Sequence, residues 1–348
     1  MRTITARAPV RICDCGGWTD TWFARHGRVF NIAVRPGVEV RIDVFPAPAD
    51  RPPVLLDVVD YGDRYAPALS PGAWERHPLL EAAIASVGLP PDTCVEISLS
   101  SRVPAGASTG TSAAVTVALI GALWRLHGRA LDRRAIARAA HEVETVGLGR
   151  QSGIQDQICS AFGGINEIAM TSYPHADVRT LVSTGSVRTE LERRLSVVFL
   201  GGGHTSSDLH RRVIDRLEGL GPACAELDVM RRCAADAARS FEAGDLSGLG
   251  RAMSDNTEAQ RRLHPDLVCD DAERVIAIAR ACGAAGWKVN GAGGEGGSVT
   301  ILGPESPNEA REFHAAVCRA LPAAHVLQPA LDPGGLAVHE ADDAGDPD

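Results

Sequence analysis

Pro104-Ala-Gly-Ala-Ser-Thr-Gly-Thr-Ser-Ala-Ala114 places two glycines and four hydroxyl side chains ahead of an almost wholly apolar run, AAVTVALIGALWRL at 113–126. The apolar run reads as a buried helix. Small residues before a helix let backbone approach a ligand, and the first turn offers unpaired N–H groups and a partial positive charge. The hydroxyls of Ser108, Thr109, Thr111 and Ser112 can bond phosphate oxygens or ligate Mg2+. Such a segment is built to hold an anion, although a capped core helix after a glycine turn would read the same way. It is not a Walker A loop, because no lysine precedes the final hydroxyl residue.

Upstream of it, Val10, Arg11 and Ile12 read as a strand that breaks at Gly16 and Gly17 into a loop with Trp18, Thr19 and Asp20. Val38, Val40, Ile42 and Val44 alternate with charged residues, the period of a sheet with one wet face, and another strand is expected at Cys94–Leu99. Downstream, a helix is expected over 133–146, a buried strand over 195–200 and an amphipathic helix over 206–219 opened by serine caps. Further helices fall around 223–243 and 270–281, before a glycine-rich turn between short strands at 286–302. Strands and helices do not alternate regularly, so the pattern favours α+β over a doubly wound sheet. The STGS stretch and the charged run TELERR, within 183–195, mark a domain boundary. We therefore expect one domain over 1–188 and a second over 189–348, with a cleft between them.

Two more segments carry chemistry. Ser152-Gly-Ile-Gln-Asp-Gln157 sets a carboxylate after a glycine turn and follows Glu142 and Glu144 on the expected helix. Phosphoryl transfer asks for one carboxylate near the attacking hydroxyl and another near a metal. Two residues apart, Glu142 and Glu144 point differently, so one of them at most reaches a shared site. Lys288-Val-Asn-Gly-Ala-Gly-Gly-Glu-Gly-Gly-Ser298 has five glycines within seven residues. A hairpin needs one or two; so dense a cluster points to close backbone approach.

Composition limits the partners. A net charge of −9 over 348 residues argues against a nucleic-acid binder, so an anionic ligand must be held locally. No run of 18 apolar residues occurs, and the N-terminus has neither the apolar core nor the cleavage site of a signal peptide. No membrane partner and a cytoplasmic location are the expectations. The nine cysteines show no C-x-x-C spacing; the Cys13-Asp14-Cys15 triplet could bind metal, but buried thiols are the simpler reading. HEADDAGDPD at 339–348 reads as a solvated acidic tail.

Taken in order, APVRICDCGGWTD at 8–20, residues 104–114 and residues 288–298 resemble the three motifs of the GHMP kinase superfamily, named for galactokinase, homoserine kinase, mevalonate kinase and phosphomevalonate kinase. The resemblance spans most of the chain. It implies a ribosomal protein S5 domain 2-like N-terminal domain, a ferredoxin-like C-terminal domain, and an ATP- and Mg2+-dependent active site in the cleft. It places Pro104, Gly106, Ser108, Thr109 and Gly110 around the ATP phosphates together with Thr111 and Ser112. Gly291, Gly293, Gly294 and Gly296 would close over them from the third motif. Asp156 becomes the catalytic carboxylate, with Arg11 holding it and the transferring phosphoryl group. Ser112 and Glu144 are the metal ligands implied.

On the acceptor side the resemblance implies Gly17, Trp18, Thr19 and Asp20, with Gly153 and Gln155. Asp20 would accept hydrogen bonds from a vicinal diol and Trp18 would stack on a sugar ring. Ser108-Thr109 stands where the family has Gly-Leu, Thr111 replaces the first serine, and Glu295 must point away from the phosphates. GGWTD and RQSGIQDQICSAFGGIN look most like the branch of D-glycero-D-manno-heptose 7-phosphate kinase and fucokinase, which phosphorylates the anomeric hydroxyl. The implied partners are ATP and a sugar or sugar phosphate, with a homodimer and a monomer both open. GGGHTSSDLHRR at 201–212 is a candidate cationic pocket, or else a loop and a helix face containing His204 and His210. Asn256–His264 is either a substrate-facing or a solvated helix. The rival readings are a mevalonate-type or homoserine-type kinase and a non-catalytic sugar sensor.

Overall fold

The computed structural model describes residues 2–46, 52–70, 72–201 and 207–342. The chain opens with β1 (Arg2–Cys15), β2 (Gly27–Pro46), β3 (Val54–Val58), β4 (Asp63–Tyr65), α1 (Pro78–Val87) and β5 (Thr93–Ser101). Then come α2 (Thr111–Leu126), α3 (Arg133–Glu142), α4 (Gln155–Phe162), β6 (Ile165–Ser172), β7 (His175–Thr180) and α5 (Gly185–Arg194). Next are β8 (Leu195–Phe199), α6 (Ser207–Leu220), α7 (Ala225–Ala243), α8 (Leu246–Leu263) and α9 (Asp270–Ala281). The last are β9 (Gly286–Val289), β10 (Ser298–Leu302), α10 (Pro307–Ala320), β11 (His325–Leu327), β12 (Ala330–Leu331) and β13 (Ala337–Asp342).

Two sheets organise these elements into the expected α+β architecture. Nine strands form the first, in the order β13-β1-β2-β5-β3-β4, with β6 and β12 also on β2 and β7 on β6. Strand β2 is long enough to serve two neighbours, pairing Gly27–Ile32 with β6 and Val38–Pro46 with β5. Among the strands of the described residues, only the β3–β5 pair is parallel. The second sheet, β11-β8-β10-β9, is antiparallel and packs on α9 and α10 around Val275, Phe313 and Val317.

The end of β1 explains the site. Its first half alternates between buried and partly exposed residues, as a half-wet strand should, but Ala8–Cys15 is buried throughout. Helices α2 and α4, and also α7 and α8, pack on β1 and leave this end no wet face. Arg11 and Asp14 lie in that buried end, so both must find charged or hydrogen-bonding partners inside the protein.

Three expectations change. The helix expected over 133–146 is α-helical only to Glu142 and ends in a π-turn at Val143–Gly147, a distortion common at functional sites. The acidic tail does not begin at His339, because β13 runs to Asp342 and pairs antiparallel with β1, with Glu340 bonded to Arg2 and Arg125. Residues 343–348 lie outside the described residues, as do 202–206, which hold His204 and Ser206. Strands β12 and β13 come from beyond residue 189 and join β2 and β1, whereas β8–β11 make the second sheet. Among the described residues no helix is long and apolar enough to cross a membrane.

Candidate active site

The glycine turn between β9 and β10 touches the loop between β5 and α2. Ser298 Oγ donates to the Ala107 carbonyl at 2.5 Å. A Cβ on Gly297 would lie 2.9 Å from Ser108 Oγ, and one on Gly291 would lie 3.1 Å from the Ser108 carbonyl and 3.2 Å from Arg11 Nη2. Both glycines have positive φ, so no other residue fits easily. The loop itself enters α2 through Gly110 in the left-handed conformation, where a Cβ would meet the Asp156 carboxyl at 3.0 Å.

Two cavities meet at this contact. One, of about 820 Å³, is lined by the backbone and hydroxyls of 105–112 and by Tyr61 and His77. The other, of about 610 Å³, is lined by Trp18, Asp20, Trp22, Gly153, Gln155 and His210. Arg11, Arg150, Asp156, Gly291 and Ala292 belong to both.

A chain of charge, buried except for the partly exposed Asp156, runs through the junction. Arg11 Nε donates to Asp156 Oδ1 at 2.7 Å, Nη2 to Asp156 Oδ2 at 3.3 Å, and Nη1 to the Ser108 carbonyl. Asp14 sits 3.9 Å from Arg11 and 3.4 Å from the buried Lys288 Nζ, and accepts the Gly291 N–H at 3.1 Å on each oxygen. Burial works against the charge on Arg11, but Asp14 and Asp156 outweigh it and hold its pKa above the ordinary value. Asp20 is pushed up to about 6, chiefly by burial and further by Asp156, against the N–H of Gln155, which donates to it at 3.0 Å. Burial also raises Glu144, against hydrogen bonds from Ser152 Oγ at 2.9 Å and Gln157 Nε2 at 2.8 Å.

Both halves of the chain match one family, as GHMP kinases N terminal domain over 79–164 and GHMP kinases C terminal over 237–323. The chain belongs to the GHMP kinases. It is 30% identical over 221 residues to a mevalonate kinase of Thermococcus onnurineus (strain NA1), covering 62% of this chain and 61% of that relative. It is 27% identical over 207 residues to a D-glycero-alpha-D-manno-heptose 7-phosphate kinase of Campylobacter jejuni, covering 59% of this chain and 60% of that one. Among solved structures it resembles a D-glycero-D-manno-heptose 1-phosphate kinase from Bacteriodes thetaiotaomicron at TM-score 0.72 and 19% identity, covering 97% and 98% of the two chains.

This GHMP kinase brings together most, but not all, of the residues singled out by sequence. Arg11, Asp156, Gly106, Ser108, Thr109, Gly110, Thr111, Ser112 and Gly291 line the loop-side cavity, and Ser112 is exposed there. Trp18, Asp20, Gly153 and Gln155 line the other. Gly153 is required by Asp20, whose Oδ2 lies 2.1 Å from where a Cβ would stand. Pro104, Gly17 and Thr19 line neither cavity. Thr19 is fully buried and its hydroxyl donates to the Gly16 carbonyl at 2.7 Å, so it holds the turn.

Gly293 and Gly294 face the other way from the loop. A Cβ on Gly293 would stand 2.2 Å from the Leu267 carbonyl, which also accepts the Gly294 N–H at 3.0 Å. The glycine turn thus serves two neighbours, which is why it needs so many glycines. Glu295 is exposed. Of the paired glutamates, Glu142 is exposed and bonded to Arg138, whereas Glu144 turns inward on the π-turn without lining either cavity. From Asn256–His264, Asn256 accepts the Gly16 N–H at 2.7 Å and Gln260 donates to the Gly291 carbonyl at 3.1 Å, so the inner face of α8 supports both motifs.

Sequence reasoning missed Asp14, Lys288 and Arg150. A charged residue inside an otherwise apolar segment, Cys-Asp-Cys or Trp-Lys-Val, was the available signal for the first two.

Proposed function

We propose that the chain is an ATP-dependent phosphotransferase acting on the anomeric hydroxyl of a sugar, with D-glycero-D-manno-heptose 7-phosphate first and fucose or another free sugar as the alternative. The observation that carries this reading is the Arg11–Asp156 pair at the one junction shared by a loop-lined cavity and a tryptophan- and aspartate-lined cavity. In the first, N–H groups at the start of α2 face the triphosphate. In the second, Asp20 accepts hydrogen bonds from neighbouring sugar hydroxyls while Trp18 offers an aromatic face. The acceptor oxygen attacks the γ-phosphorus, the bond to the β-phosphate oxygen breaks, and the hydroxyl proton passes to Asp156. Arg11 keeps Asp156 oriented between turnovers.

Ser112, exposed in the loop-side cavity, offers a hard oxygen donor that Mg2+ takes, whereas Glu144 is buried, bonded to Ser152 and Gln157 and outside that cavity; few protein donors are needed when phosphates supply the rest. Among the described residues no group of three or more His, Cys, Asp or Glu is arranged to hold a metal by itself, which fits an ion arriving with the nucleotide. When bound, Mg2+ would neutralise charge on the phosphates.

The likeness to mevalonate kinases supports a second reading, a non-sugar alcohol as acceptor. An acceptor carboxylate would have to share its cavity with Asp20, which disfavours it. A screen with Mg2+-ATP against heptose 7-phosphate, fucose, galactose, glucuronate and mevalonate tests both. We expect turnover of the heptose phosphate or fucose. Exclusive turnover of mevalonate would install the second reading, and binding of ATP and sugar without turnover would leave a sensor.

A further inference from the structure

The geometry points to Arg150 as a further catalytic residue, whose guanidinium clasps the phosphoryl group as it crosses between the two cavities. This rests on the phosphotransferase reading above. Five residues line both cavities, and only Arg11 and Arg150 among them are cationic. Arg11 is already committed: its nitrogens bond Asp156 and the Ser108 carbonyl, and Asp14 lies 3.9 Å away. Within the junction Arg11 and Lys288 are matched by Asp14 and Asp156, so this cluster has no net positive charge to offer an incoming phosphoryl group.

Arg150 differs on each count. Its side chain is exposed and makes no hydrogen bond or salt bridge among the described residues, its one charge interaction there being a longer-range attraction to Glu144. Its backbone is pinned, because its N–H donates to the Glu144 carbonyl at 2.9 Å across the π-turn, and Gly153, three residues on, is packed against Asp20. A fixed backbone with an uncommitted side chain at the junction suits a group that engages only when substrate arrives. The transferring phosphoryl spreads negative charge over its equatorial oxygens, and a planar guanidinium can bond two of them at once.

The experiment compares Arg150→Met and Arg150→Lys with the wild type in steady-state turnover, and in calorimetric binding of Mg2+-ADP with and without aluminium fluoride, a stand-in for the transferring group. An arginine in this role is worth about 10³-fold in kcat, so Arg150→Met should lose at least about 100-fold, with KM for the acceptor moved by less than about threefold. Arg150→Lys should recover part of the loss. Aluminium fluoride should tighten ADP binding in the wild type and not in Arg150→Met. A kcat within about threefold of wild type, or a loss confined to acceptor KM, would overturn the assignment. Tightening by fluoride that persists in Arg150→Met overturns it too, and needs no knowledge of the acceptor. A wild type with neither turnover nor fluoride tightening would instead sink the phosphotransferase reading itself. Since the side chain is exposed, both variants should keep the wild-type unfolding midpoint.

Discussion

The two cavities are made of different materials. The loop-side cavity has one wall made by a single continuous segment, 105–112, with a glycine turn pressed against it, and a second wall of side chains such as Tyr61, His77 and Leu99. The acceptor-side cavity is made of side chains from separate places: the β1–β2 loop, the start of α4 and the first half of α6. A backbone site tolerates changes of side chain but not of Cβ. A side-chain site depends on charge and on the packing of each element. Substitutions at the two should therefore fail in different ways.

The largest effect is expected where the materials meet. Asp156→Asn should lower kcat by about 10³-fold while circular dichroism stays unchanged, because the carboxylate is partly exposed and its loss removes proton acceptance rather than packing. An amide retaining more than about a tenth of the wild-type rate would show that Asp156 only orients the acceptor. Asp14→Asn should be felt in stability: it leaves Arg11 and Lys288 with one counter-charge fewer in a dry site, and denaturant unfolding should report a loss of about 3 kcal/mol.

A matched pair of glycine substitutions separates the cavities. Gly297→Ala pushes on Ser108 Oγ from 2.9 Å and should raise KM for ATP about tenfold with acceptor KM unchanged. Gly153→Ala drives a methyl to within 2.1 Å of Asp20 and should do the reverse. Equal effects of both on both substrates would mean that the cavities act as one.

The smallest effect concerns pH. Burial raises Asp20 to about 6, so its carboxylate becomes ionised as pH rises through that value. If the ionised form binds the acceptor, kcat/KM for the acceptor should climb across this range, and Asp20→Asn should flatten that limb. Stability runs the opposite way: a carboxylate with a raised folded pKa favours the folded state fully below its unfolded value of 3.8, and that contribution is lost as pH rises through about 6.

The same division explains what could be read in advance. The loop at 104–112, the alternation in β2 and the helix α2 were legible because local composition encodes them. The roles of Gly293 and Gly294 were not, because their neighbour, Leu267, is distant in sequence and a glycine names no partner. Asp14 and Lys288 make sense only once β1 and β9 are brought together. The short strand β12 has no period to detect, and β13 carries His-Glu-Ala-Asp, whose charges read as tail until Glu340 is seen between Arg2 and Arg125.

The pairing of β13 with β1 also has a consequence for synthesis. The strand that carries Arg11 and Asp14 leaves the ribosome early, whereas its outer neighbour at 337–342 emerges after every other described strand. Until then Arg2–Arg7 presents unpaired N–H and C=O groups, an invitation to association between nascent chains. Chaperone dependence during translation, relieved by a variant in which 337–342 precedes β1 through a short linker, would be the signature.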